Sequence, residues 1–209
     1  MKRFLATTAV VMSLSAPAMA GAGLQEALDA YASGRAAEAA AIYGDLARSG
    51  DGRAQFNLAL MFYAGEGVPQ SWSDAFAWAW RAKLNGVQQA EALLSRVAAP
   101  ITAGERTALA EVLTAELADK VAAGDARAMI QMSLIQSELL PRPDMVSTYV
   151  WQSLAVAMGM ERAVPVRAST FESLSPRDQT KAQLALREKY AEWCAAAPVG
   201  SPACGLIIN

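Results

Sequence analysis

The sequence predicts an all-α fold built from a duplicated set of helices, and three observations predict it. The composition is 54% apolar and 18% charged, rich in alanine, with glycine and proline confined to a few clusters. Alanine loses no side-chain entropy in a helix, so the bias favours helices throughout. An internal repeat is visible: Asp51-Gly52-Arg53-Ala54 returns 74 residues later as Asp125-Ala126-Arg127-Ala128. After one deletion Phe76 and Trp78 align with Tyr149 and Trp151, Ala82 with Ala155, Gly86 with Gly159, and Ala90 with Ala163. Helix-start signals also recur in register. Thr102-Ala103-Gly104-Glu105 matches Ser175-Pro176-Arg177-Asp178, each with a hydroxyl at the N-cap and a carboxylate at N3, and the second with proline at N1.

The chain opens with a leader. Lys2 and Arg3 precede an apolar stretch, Phe4 to Leu14, then Pro17 and the small-x-small site Ala18-Met19-Ala20. The stretch is shorter than the roughly 20 residues a bilayer span needs. The expectation is a signal peptide over residues 1–20, cut after Ala20, and a mature chain without a membrane span in the periplasm. Removing Lys2 and Arg3 takes the formal charge from −2 to −4, leaving 16 basic against 20 acidic residues. That balance, without a basic stripe, speaks against a nucleic-acid partner.

After the leader, a first helix pair is expected near 22–33 and 36–48, separated at Gly34. Four helices of the first unit follow near 52–64, 70–85, 87–98 and 103–122. Their counterparts fall near 126–138, 144–158, 160–171 and 176–194. Ala54, Leu58 and Met61 share one helix face, and Ala75, Trp78 and Ala82 another. The tail, 195–209, holds Cys204, which with Cys194 frames a segment containing Pro198, Gly200 and Pro202. In an oxidising compartment this pair reads as one disulfide, worth about 2–3 kcal/mol in the chain-entropy model. A redox-active pair would need closer, C-x-x-C-like spacing.

Residues 54–86 resemble the Sel1-like repeat, a tetratricopeptide-like helix pair. The matching positions are Ala54, Leu58, Gly65, Gly67, Val68, Ala75, Trp78, Ala82 and Gly86. Residues 128–159 resemble a degenerate second copy that keeps Ala128, Leu134, Trp151, Ala155 and Gly159 but has Pro141-Arg142-Pro143-Asp144 in the turn. The leading pair, with Ala27, Tyr31, Gly34, Ala37, Ala40, Tyr43 and Gly50, resembles the half-repeat or tetratricopeptide-like pair that opens such arrays. Departures from the pattern include Ala59, Ser71 and Lys83. The resemblance implies an α-solenoid of antiparallel helix pairs over 21–194, of about ten helices, acting as a protein-interaction scaffold. Neighbouring pairs in such a stack bury a continuous core and leave an extended face for a partner.

Catalytic chemistry finds little support. Histidine is absent, which removes Ser-His-Asp and Cys-His catalysis and most zinc sites. Gly65-Glu66-Gly67 lacks the following lysine and the preceding strand of a phosphate loop and reads as a repeat turn. Glu172, compared with the acid of helical lytic transglycosylases, sits beside the cap at Ser175 and reads as a helix end. No cofactor or metal is expected.

The feature above background is aromatic. Trp72, Phe76 and Trp80 recur at i, i+4 and i+8, near Phe62 and Tyr63 at the end of the preceding helix. Two readings stand: core packing against the helix near 87–98, or partial exposure of Trp72 or Trp80 as a partner anchor. Tyr63, Trp72, Phe76 and Trp80 are the candidate partner-binding residues. The expected function is an exported scaffold or regulatory adaptor holding an unidentified protein or peptide in the cell envelope. The alternative is an envelope enzyme or binding protein for cell-wall or β-lactam-like ligands. It is weakened because one cysteine pair serves the whole chain instead of one pair per repeat.

Overall fold

The computed structural model describes residues 16–196 and Cys204, with side chains from residue 21 onward. Most of the expected signal peptide, residues 1–15, and most of the tail lie outside the described residues. Ten α-helices account for nearly all of the described chain, and no strand occurs among the described residues. The expected single repeat domain divides into two compact units, one through Leu93 and one from Leu94.

The first unit holds α1 (Ala16–Ala32), α2 (Ala36–Arg48), α3 (Gly52–Ala64) and α4 (Trp72–Leu84). Short connections fold α1 on α2 and α3 on α4, and α2 packs on α3 to join the pairs. Alanine makes this approach possible. Ala27 and Ala30 of α1, Ala39 of α2 and Ala54 of α3 are fully buried in one cluster with Leu58 and Met61. A polar clamp crosses the same seam. Buried Gln55 donates from Nε2 to the Ala47 carbonyl on α2 (3.0 Å) and accepts from Asn85 Nδ2 after α4 (2.8 Å).

The turn between α3 and α4 explains its two glycines. Gly65 ends α3 in the left-handed region (φ 74°), its N–H donating to the Met61 carbonyl at 2.8 Å. Gly67 (φ 73°) lies so close to the start of α2 that a Cβ there would stand 2.3 Å from the Ala36 carbonyl oxygen. Helix α5 (Ala90–Val97) carries the division between units.

The second unit contains α6 (Ala103–Ala122), α7 (Ala126–Leu134), α8 (Met145–Ala157), α9 (Val164–Ser173) and α10 (Pro176–Ala196). Helix α7 continues into a π-helical turn over Ile135–Leu139, and a 3-10 turn, Glu161–Ala163, leads into α9. Helices α7 and α8 form the pair, α9 and α10 both lie on α8, and α6 packs on α7 and the π turn. Met129, Val150, Leu154 and Ala155 form the core, with Trp151, Tyr190 and Trp193 partly buried against it.

The duplication holds at the level of hydrogen bonds. Asp51 caps α3 by accepting from the Arg53 and Ala54 amides (2.8 and 3.0 Å). Asp125 caps α7 through Arg127 and Ala128 (2.7 and 3.2 Å). Ser71 and Asp144, in register, cap α4 and α8, so the hydroxyl at Ser71 does the work of the carboxylate. Gly86 and Gly159 both take positive φ (85° and 90°) after those helices. The buried residue of α7 in register with Leu58 is Met132, 5% exposed, whereas Leu134 is only partly buried. Each N-cap aspartate contributes about 1 kcal/mol. Asp51→Ala and Asp125→Ala should therefore lower stability by similar amounts in urea unfolding, and a cost at one position alone would break the equivalence.

Trp78 and Trp151 have like surroundings. Each is half-buried against its own unit's core. Each also carries a cation over its ring: the Arg81 guanidinium at 5.1 Å for Trp78 and the Lys189 ammonium at 5.8 Å for Trp151. The cations differ in origin, Arg81 coming from the same helix and Lys189 from α10.

Candidate functional site

The first unit bears a groove of about 300 Å³ between α1 and α3. The buried Tyr43 of α2 and Met61 of α3 form part of its lining, and Leu28, Tyr31, Leu60 and Tyr63 supply apolar and aromatic surface. Leu28, Tyr31 and Leu60 remain 43%, 44% and 38% exposed, unusual for side chains of this size, and all three line this one groove. Helix geometry produces the arrangement. Asn57, Leu60 and Ala64 recur at i, i+3 and i+7 on one face of α3, while Ala54, Leu58 and Met61 point to the core. On α1, Leu28 and Tyr31 sit at i and i+3 beside the buried face of Leu24, Ala27 and Ala30.

Polar groups order this surface. The Tyr31 hydroxyl donates to the Glu66 carboxylate, linking α1 to the turn after α3. Accepting that proton and opposing a phenolate charge, Glu66 holds the Tyr31 hydroxyl above its ordinary pKa. Burial does the same to Tyr43, partly offset by its hydrogen bond with Asn57. Both phenols therefore stay protonated at neutral pH.

The four aromatic candidates separate. Tyr63 lines the groove, and Trp72, 39% exposed, meets its ring edge-on at 5.8 Å. Phe76 and Trp80 lie in the interior, 3% and 4% exposed. As partner contacts these two are corrected: α4 buries a wide arc that includes both its alanine face and the aromatic stripe. Leu28, Tyr31, Asn57, Leu60 and Glu66 were missed. Their signal in the sequence was a second apolar row on α3, displaced from the core row, together with a matching pair on α1.

A second concavity, about 360 Å³, lies in the other unit between α6, α8 and α10. Its indoles are engaged in the fold. Trp193 Nε1–H donates to the Val121 carbonyl (3.2 Å), and Lys189 covers Trp151. Next to Trp193, Cys194 is joined to Cys204 with Cα atoms 5.6 Å apart. Glu172 is solvent-exposed on α9, outside both concavities.

These features define a helical-repeat protein with an open apolar groove on its first pairs. The chain matches no known family model and no curated protein. Among solved structures it is similar to a protective antigen present in uropathogenic Escherichia coli strains displaying an SLR fold, at 17% identity and a TM-score of 0.38. That alignment covers 82% of this chain and 44% of the antigen, so the chain matches less than half of the antigen's length. The all-α helix-pair architecture is carried by this chain's own packing.

Proposed function

We propose that the chain is an exported scaffold or regulatory adaptor of the cell envelope that holds a segment of a protein partner in the α1–α3 groove. The observation that carries this reading is the gathering of exposed Leu28, Tyr31 and Leu60 around one concavity, beside exposed Trp72. Covering such side chains is worth roughly 25 cal/mol per Å² of apolar area, and the rigid tyrosine rings suit interface contacts.

Export is supported by the leader pattern and by the Cys194–Cys204 disulfide. A cut after Ala20 would remove the first residues of α1 and leave Leu28 and Tyr31 in place.

A photo-crosslinking residue placed at Leu60 tests the proposal in intact cells. Leu184, 58% exposed on α10 and outside both concavities, serves as the control. The expected result is a discrete protein adduct from position 60 and none from 184. A uniform smear from both positions, or no adduct from either, would sink the reading.

A further inference from the structure

Resting on that groove, we infer that its occupant is a peptide segment that places a lysine or arginine against Glu66 and apolar side chains along Leu28 and Leu60. Glu66 carries the only formal charge among the lining residues. Its carboxylate takes the Tyr31 hydroxyl and retains acceptor capacity for a second donor. The rings of Tyr31 and Tyr63 line the same groove, and aromatic rings attract cations.

Burial sharpens the choice. A partner that covers the groove strips water from Glu66, and a buried carboxylate without a counter-charge is strongly disfavoured. With the Tyr31 hydroxyl as its hydrogen-bond donor, a neutral segment leaves the charge uncompensated and an acidic one repels it, so a basic residue matches the site best.

The wider charge distribution agrees. Residues 21–93 carry eight carboxylates against five basic side chains. Ion pairs join Arg35 to Glu38, Arg48 to Asp45 and Lys83 to Glu91. Glu26, Asp29, Asp51, Glu66 and Asp74 stand outside these pairs against Arg53 and Arg81, and two of the five carboxylates are on α1, which supplies Leu28 and Tyr31 to the groove. The long-range field therefore steers the same kind of ligand that the local site accepts.

The test is selection of random displayed dodecapeptides on the purified chain, with clones that also bind Leu60→Glu discarded. Circular dichroism confirms that each variant is folded. The expected binders combine lysine or arginine with apolar residues and lose at least about tenfold in affinity with Glu66→Gln, and more with Glu66→Lys. Leu60-dependent binders that lack a basic residue, or that ignore Glu66→Gln, overturn the cation assignment and leave the groove standing. Failure to recover any Leu60-dependent binder overturns the groove as a peptide site as well.

Discussion

Replacing Trp80 by alanine lowers the stability of the first unit by about 3–5 kcal/mol, as expected for a large aromatic side chain removed from a packed interior. Trp80 is 4% exposed, meets Phe76 edge-on at 6.3 Å, and lies 5.1 Å beneath the Lys83 ammonium. Lys83 is itself held by Glu91 at 2.8 Å, and that pairing keeps the Glu91 carboxyl below its ordinary pKa. Alanine would remove the ring and leave the space to be refilled by imperfect collapse. Trp80→Phe should cost much less. It keeps a ring and discards an indole Nε1–H that is buried without a hydrogen-bond partner among the described residues. Urea unfolding of both variants checks the pair. An unchanged midpoint for Trp80→Ala, accompanied by loss of partner capture, would return this residue to the surface.

Gly67→Ala carries the second large effect, a loss of about 3 kcal/mol or more. Two costs add. An L-residue at φ 73° is strained, and its methyl carbon would lie 2.3 Å from the Ala36 carbonyl oxygen, backbone that cannot swing aside. Gly65→Ala is the internal control. Its φ of 74° imposes the same backbone strain, but its nearest contact would be Gln70 Cβ at 3.1 Å, tight yet far short of the 2.3 Å overlap at Gly67. A cost near 1 kcal/mol is expected there. Equal costs at the two positions would mean that the turn does not press against α2.

Helix boundaries were legible wherever local chemistry fixes them. Helices α2, α3 and α6 run as the sequence predicts, at 36–48, 52–64 and 103–122. Gly34 breaks the first pair at φ 77°, Asp51 and Thr102 cap with their side chains, and Gly65 terminates with positive φ. The π turn at Ile135–Leu139 was not foreseen. It serves packing, since both end residues are fully buried, and no local signal distinguishes it from an ordinary last helical turn.

The site was half legible, and α4 shows why. At about 100° per residue, Ala75, Ala79 and Ala82 fall beside Phe76 and Trp80 within one broad arc. Read as two faces, the helix seems to spare one for a partner. Packed into the unit, it buries both, and Trp72 is exposed only because it begins the helix. Tyr63 was recognised through its neighbour Trp72. Leu28, Tyr31 and Leu60 leave a signal only when the rows on α1 and α3 are read together, because the groove exists only where those helices lie side by side.

The most direct measurement joins the two walls of that groove: crosslinking from position 60 on α3, repeated in a chain carrying Leu28→Glu on α1. Leu28 is 43% exposed, so the substitution should leave thermal unfolding nearly unchanged. The position-60 adduct should then vanish while the protein stays folded and abundant. Its persistence at undiminished yield would show that whatever meets α3 does not lie between these helices.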